Sequence, residues 1–361
     1  MSANILSIPP GRPFLPTLAE GLLAGRIVRS FSYQSDPLAL ADVTIYVPTR
    51  RAARALAGEF ARALGKGSAI LPAIRPIGES DAADLFSAPE DRPTLLPVMD
   101  ELTRRLHLAR LARHWRAATD AGERQALGLD APVLPASAAD ALWLAGDLGT
   151  LLDEVETEGT SLAGIAALAP DDLADWWRLT LQFLAIVTEH WPALLANEGR
   201  VSEAGARNTW LRGEAERLRR EGSRGPVVLA GSTATAPATL ELMHAIAHLD
   251  QGALVLPGLD RHLPQAAFDA IARDASIAAP GHPQYGLKTI LGRFARTPDS
   301  VEHLGDGEDQ ALAAREAFLA DALRPAETTD AWAEGSLLHG PAALDGLALI
   351  QAEDEREEAM A

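Results

Sequence analysis

The chain has 361 residues, 47% of them hydrophobic, and a formal net charge of −18, so it can bury more than one core and predicts one large or two medium domains. It contains no cysteine, which excludes disulfides, thiolate zinc sites and cysteine-held iron–sulfur clusters within these residues. The N-terminus has no secretory leader pattern and no run of about 18 apolar residues occurs, so we expect a soluble, cytoplasmic protein without membrane contact.

The first predicted strand, Asn4 to Ile8, is followed by PPGRPFLPT and a predicted helix from Phe14 to Ala24. A P-loop NTPase carries G-x-x-x-x-G-K-[ST] at this place. Here Gly11, Arg12 and Thr17 are present, but there is no lysine, and several prolines remove amide donors that a phosphate cradle needs. The pattern therefore predicts a degenerate nucleotide site with no bound cofactor.

The second predicted strand, Val43 to Val47, ends at Pro48, because proline cannot continue a central ladder. Thr49 is the predicted N-cap of the next helix, and a third strand is predicted from Ala69 to Ile74. On the helix, apolar residues recur at three- and four-residue spacing along one side. These residues are Ala53, Leu56, Ala57, Phe60 and Leu64, and the opposite side carries Arg50, Arg51 and Arg54.

A helix N-terminus with a hydroxyl and three guanidinium groups favours an anion. Residues 1–75 contain nine Lys/Arg and four Asp/Glu, whereas the rest of the chain contains 23 and 46. DNA binding driven by charge requires only a local positive surface. We therefore predict that Thr49, Arg50, Arg51 and Arg54 contact DNA phosphates. The alternative is an ordinary solvated helix face.

Residues 94–221 have a helical pattern throughout and contain six of the seven tryptophans, which predicts a helical bundle with aromatic anchors. One of its helices places Arg105, Arg113 and Arg116 within about 80° of one another. These three arginines are a second candidate DNA contact, and a solvated cationic face is again the alternative. His107 and His114 lack a third ligand, so no metal site is predicted.

Strands return at Val227 to Ala230 and at Ala253 to Leu256, each before a turn and a helix. An NTPase would carry a metal-binding acidic pair after the first of these strands, where this chain has Ala230 and Gly231. No catalytic residue is predicted, because Ser232 lacks a G-x-S-x-G frame. Residues 297–346 are acidic and weakly patterned, with one helix at 310–322, and a last strand is predicted at 347–351.

Three stretches resemble known helicase segments. TRRAARAL, residues 49–56, resembles motif Ia of superfamily 1 helicases, whose following helix touches single-stranded DNA. Residues 227–260, with an AGST turn and a GLD turn, resemble the AddB subunits of bacterial AddAB helicase-nucleases. The tail LALIQAEDEREEAMA is similar to the strand and helix that open the second helicase domain.

The resemblance implies an α/β fold: a RecA-like parallel sheet with a degenerate P-loop and a large all-α insertion. It divides the chain into the first half of RecA-like domain 1 (1–92), a helical insertion (93–225), the second half with an acidic connection (226–346), and the start of a truncated second domain (347–361). It further implies a non-motor scaffold that acts on DNA ends and single-stranded DNA in double-strand break repair, as a heterodimer with an AddA-like subunit.

In that family the complex is an ATP-dependent helicase-nuclease, and the resemblance implies that the exonuclease domain would follow residue 361. Whether this segment is itself an enzyme is left open by the sequence. Two alternatives remain from the residues alone: a nucleotide-dependent enzyme with an atypical phosphate loop, and a helical scaffold that binds only protein.

Overall fold

The computed structural model describes residues 3–65, 70–78, 96–118, 137–160, 181, 183–272, 278–305, 309–333, 339–348 and 350–360. Its centre is a six-stranded parallel sheet in the order β3-β2-β4-β5-β1-β6. The strands are β1 (Ile5–Ile8), β2 (Thr44–Val47), β3 (Ala73–Pro76), β4 (Val227–Ala230), β5 (Gly252–Pro257) and β6 (Glu302–His303). The predicted α/β class with a parallel sheet is confirmed, while the RecA-like assignment stays a prediction.

The helices of the first half are α1 (Phe14–Leu23), α2 (Arg50–Ala63), α3 (Glu101–Ala118), α4 (Ala138–Glu158), α5 (Trp191–Glu198) and α6 (Glu203–Glu221). Those of the second half are α7 (Pro237–Ala247), α8 (Gln265–Ala270), α9 (Tyr285–Arg293), α10 (Gln310–Ala322), α11 (Asp330–Ala333), α12 (Pro341–Leu344) and α13 (Glu355–Glu358). The chain also forms short 3-10 turns at 37–42, 279–281, 298–300 and 326–328, and a π-helical turn at 186–190. None of the helices among the described residues is long and apolar enough to cross a membrane.

The sheet is covered on both faces, and the alternation along its strands sorts the side chains between two cores. Val228 and Ala230 lie in one core with α1 and α2, whereas Leu229 lies in the other with α6, α7 and α9. Successive strand residues point to opposite faces, and burial of both faces explains why β4 is a continuous apolar run and β1 is apolar except for Ser7.

The helical region has a third core, built from α3, α4 and α5 around Leu108, Leu148 and Trp191. The expectation that tryptophans anchor this bundle is met by Trp191, but Trp210 packs in the sheet core and Trp143 is 73% exposed. Trp143 is therefore a correction. It lies on α4, where the buried side is formed by Ala141, Ala145, Leu148 and Leu152, and position 143 falls on the opposite side of the helical period.

Three features of the strands differ from expectation. Strand β3 begins at Ala73, where its ladder with β2 starts at the Thr44–Ala73 pair; residues 70–72 form no strand, and Ala69 lies outside the described residues. The predicted strand at 347–351 is wrong for its described residues, which form no strand and leave Leu347 and Ile350 exposed. A β-strand needs a ladder partner, and no described residue of the chain pairs with residues 347–351. The edge strand β6 was not predicted, since its two residues, Glu302 and His303, carry no apolar pattern.

Candidate nucleic-acid interface and strand-switch crevice

The junction between β2 and α2 forms as the sequence predicts. Thr49 has extended backbone angles, and its Oγ1 accepts a hydrogen bond from the backbone N–H of Ala52 at 3.1 Å. A hydroxyl that accepts in this way keeps its own proton for donation to a ligand. Because parallel strands end at one edge of the sheet, α2 presents its N-terminus, the positive end of its dipole, at that carboxyl edge.

The two sides of α2 separate as predicted. Leu56 and Phe60 are fully buried against the sheet, whereas Arg51 and Arg54 are exposed and form no ion pair with the described residues. Arg50 is half-buried and has a partner of its own. The structure thus leaves two guanidinium groups open to solvent within the first turn and a half of the helix.

Another arginine of α2, Arg62, shows the contrast. It lies near the end of the helix and pairs with Glu59 three residues earlier. An exposed arginine with a carboxylate neighbour is already partly neutralised, and one without is available to an external anion. The free cationic surface is therefore confined to the N-terminal part of α2.

The second edge feature is the crevice between β1 and β5, which are neighbours in the sheet. Helix α1, which follows β1, packs on one face, and α8 and α9, which follow β5, pack on the other. Between β1 and β5 the connections therefore change from one face of the sheet to the other, and open α/β sheets bind ligands at such points. We call this place the strand-switch crevice. It contains the predicted degenerate nucleotide residues Gly11, Arg12 and Thr17.

Protein atoms crowd these residues. A Cβ atom at residue 11 would lie 2.0 Å from Cδ1 of Leu312, and one at Gly305 would lie 3.0 Å from Cγ2 of Thr17. Beside the crevice, Ala230 is fully buried and Gly231 has a φ of 75°. A Cβ at Gly231 would lie 3.1 Å from the ring of Phe14. A side chain at residue 11 or residue 231 would therefore require Leu312 or Phe14 to move.

An acidic side chain also reaches the first loop. The N–H of Gly11 donates to Oε1 of Glu316 at 3.4 Å, and Oε2 of Glu316 lies 3.6 Å from Nε2 of His262. His262 follows β5, so the carboxylate spans the two sides of the strand-switch crevice.

An open pocket of about 460 Å³ adjoins the turn after β4. Its polar lining comes from Glu158, Thr233, Thr235, His282 and Tyr285. Ser232, at the start of this turn, is buried and accepts a hydrogen bond from the N–H of Ala234 at 3.2 Å. Its hydroxyl therefore helps to fix the conformation of the turn.

The predicted arginine cluster on α3 is divided by the fold. Arg105 donates from Nε to the carbonyl oxygen of Leu142 at 3.1 Å and so lies against α4. Arg113 is exposed, and the side chain of Arg116 lies outside the described residues. Sequence reasoning did not single out Arg104, which is buried and donates to both carboxylate oxygens of Asp153 at 2.9 Å. This ion pair couples α3 to α4.

Two of the groups with shifted pKa values owe the shift mainly to burial. Burial raises the pKa of Glu156, against a hydrogen bond from Ser202 that lowers it. Burial lowers the pKa of His244, with further lowering from His248, whose ring stacks on it at 4.3 Å. No group of three or more His, Cys, Asp or Glu side chains in the described part of the chain could hold a metal ion.

Comparison with known proteins adds no assignment, since neither the family models nor the curated proteins contain a match to this chain. Function is therefore inferred from the residues and their geometry.

Proposed function

We propose that this chain is a DNA-contacting scaffold without ATP chemistry, of the type found in AddB subunits, and that it acts on DNA ends in double-strand break repair. The observation that carries the proposal is the pair Arg51 and Arg54, exposed at the N-terminus of α2 and without ion-pair partners among the described residues. Together with the Thr49 hydroxyl they form a compact site for backbone phosphates.

The sheet order supports the RecA-like part of the proposal. In the common doubly wound orders, 3-2-1-4-5-6 and 2-1-3-4-5, the first two strands are neighbours. Here β4 and β5 lie between β1 and β2. The order thus disfavours a dinucleotide-binding sheet, and the resemblance of residues 49–56 and 227–260 favours the helicase type.

The crowded strand-switch crevice supports a scaffold over a nucleotide-dependent enzyme. The first loop offers no lysine, and Leu312 and Glu316 lie directly over Gly11. The carboxylate repels phosphate where an NTPase would attract it. In this proposal an AddA-like partner supplies the motor.

The test is single-stranded DNA binding by the double variant Arg51→Ala/Arg54→Ala, followed by fluorescence anisotropy at several salt concentrations. Loss of two phosphate contacts should weaken binding equally for different sequences and make the log-log salt slope shallower by about 1.4, at roughly 0.7 per contact. Arg62→Ala is the matched control on the same helix, and it should leave the slope unchanged. A double variant with the wild-type slope would return these arginines to a solvated face.

One observation favours the protein-binding scaffold as a second candidate. Trp143 is 73% exposed on α4 and Leu102 is 68% exposed on α3, which packs against α4, and large exposed apolar side chains are available for contact with a protein partner. Co-purification with an AddA-like subunit tests it. If the helical region docks the partner, Trp143→Ala should release it and leave DNA binding intact. Retention of the partner by this variant would count against the second candidate.

A further inference from the structure

Helix α10 begins with a well-formed cap and then passes over the first loop of the sheet. Asp309 accepts the N–H of Leu312 at 3.0 Å and so fixes the first turn. That turn carries Leu312, and the next carries Glu316, four residues later on the same side of the helix. Both side chains therefore reach the strand-switch crevice together.

Leu312 makes the steric part of this contact. Its methyl group lies so close to Gly11 that a Cβ at residue 11 would be only 2.0 Å away. Real Cβ atoms do not approach so closely, so a side chain at residue 11 would force the side chain of Leu312 to move. Gly11 stays exposed to solvent, and α10 covers the loop without enclosing it.

Glu316 makes the electrostatic part. One carboxylate oxygen accepts from the N–H of Gly11 and the other faces His262 across the crevice. A backbone amide of the loop after the first strand and a basic side chain from the far wall are the kind of partners that an anionic ligand takes at this position. Here the anion belongs to the chain itself.

We propose that α10 is an intramolecular lid, with Glu316 as a built-in anion in place of a ligand at the strand-switch crevice. Of the thirteen residues of α10, Ala320 alone is fully buried, and the helix packs mainly on α12, Trp332 and His339, which follow it in the chain, and not on the sheet cores. Lightly packed elements open locally at lower free energy than the core. The lid can therefore lift while the sheet stays folded. This inference does not depend on DNA binding.

The test is amide hydrogen exchange of the intact chain with the variants Gly11→Ala, Leu312→Ala and the double variant. Gly11→Ala should raise exchange of the α10 amides about tenfold, as expected for an overpacked contact, and leave β2 and α2 unchanged. The double variant should return α10 exchange toward the Leu312→Ala value, since the clash is removed. Gly292→Ala is the control, because a Cβ there meets nothing within 4 Å.

The charge is tested separately with Glu316→Gln and Glu316→Ala. The amide of Gln keeps an acceptor for Gly11 but not the charge facing His262, so it should speed α10 exchange less than Ala does. These truncations create no clash and keep the test valid if Gly11→Ala fails to fold. The proposal would be overturned if the α10 amides of Leu312→Ala and Glu316→Ala exchanged at the wild-type rate. It would also be overturned if the exchange rates of α10 and of the sheet rose equally.

Discussion

The N-terminus of α2 and the strand-switch crevice lie at the same edge of one sheet, yet the first is open to solvent and the second is covered by another helix. At α2 two arginines extend into solvent, and the Thr49 hydroxyl caps the helix as an acceptor and can still donate its proton to a ligand. At the crevice a leucine and a glutamate from α10 lie on the loop. The carboxyl edge of a parallel sheet is a general ligand platform, and here the part at the N-terminus of α2 is open and cationic.

A glycine in a loop that resembles a phosphate-binding motif can instead accommodate a neighbouring side chain. Gly11 is one of the few residues left from a phosphate-loop pattern, and by that pattern it would approach a phosphate. In the fold it admits Leu312 instead, and Gly231 admits Phe14. The glycines therefore serve packing within the chain.

The largest expected effect comes from the buried side of α2. Phe60 is fully buried in the core shared with α1, and Phe60→Ala should lower the free energy of unfolding by about 3–5 kcal/mol. Chemical denaturation measures the change. Gly58→Ala on the exposed side of the same helix is the control, and it should raise stability by about 0.5–1 kcal/mol, because a Cβ there meets nothing within 4 Å. Equal losses in both variants would contradict the two-sided description of α2.

A smaller effect is expected at Glu156, which is a half-buried carboxylate in the helical region, as Glu316 is at the crevice. Its pKa is raised above the ordinary value of 4.5 by burial. The folded state then binds the proton more tightly than the unfolded state, so this contribution to stability is complete below about pH 4.5 and is lost as the pH rises through the folded-state pKa.

Glu156→Gln should therefore flatten the pH dependence of stability above about pH 4.5 and raise stability at about pH 7. The amide oxygen of Gln can still accept from the hydroxyl of Ser202, so the hydrogen bond is kept. Urea denaturation at several pH values measures this. Glu158→Gln, an exposed site on the same helix, is the control. A variant that is less stable than wild type at neutral pH would show that the charge is needed.

Much of this fold could be predicted from the chain. The helix at 310–322, the strand at 227–230 and the cap at Thr49 are confirmed, because capping and apolar periodicity are local signals. The contact between Leu312 and Gly11 could not be predicted, since it joins opposite ends of the chain. The Arg104–Asp153 pair is also non-local. Nothing in the spacing of the α3 arginines shows which of them turns inward.

A further small effect is expected where the backbone is strained. Ala295 has a φ of 51°, the one positive value among the described non-glycine residues. It follows α9, and the next N–H, from Arg296, donates to the carbonyl oxygen of Leu291 at 3.0 Å in a left-handed cap. Ala295→Gly should raise the free energy of unfolding by about 0.5–1 kcal/mol. Gly305→Ala, at a φ of 80°, should do the reverse, and a loss of stability in Ala295→Gly would contradict the strain.

The smallest effect, and the one that separates the two ends of the sheet edge most directly, is the response to ATP and magnesium. We expect no change in melting temperature, because the first loop has no lysine and Glu316 places a negative charge at Gly11. A ligand present at about 100 times its Kd would stabilise the fold by about 2.7 kcal/mol, which a thermal scan detects easily. Single-stranded DNA in the same assay should raise the melting temperature, and Arg51→Ala/Arg54→Ala should reduce that rise. If ATP stabilised the protein and Arg12→Ala removed that stabilisation, the nucleotide-dependent enzyme would be the better interpretation. The strand-switch crevice would then be a ligand site and not a covered one.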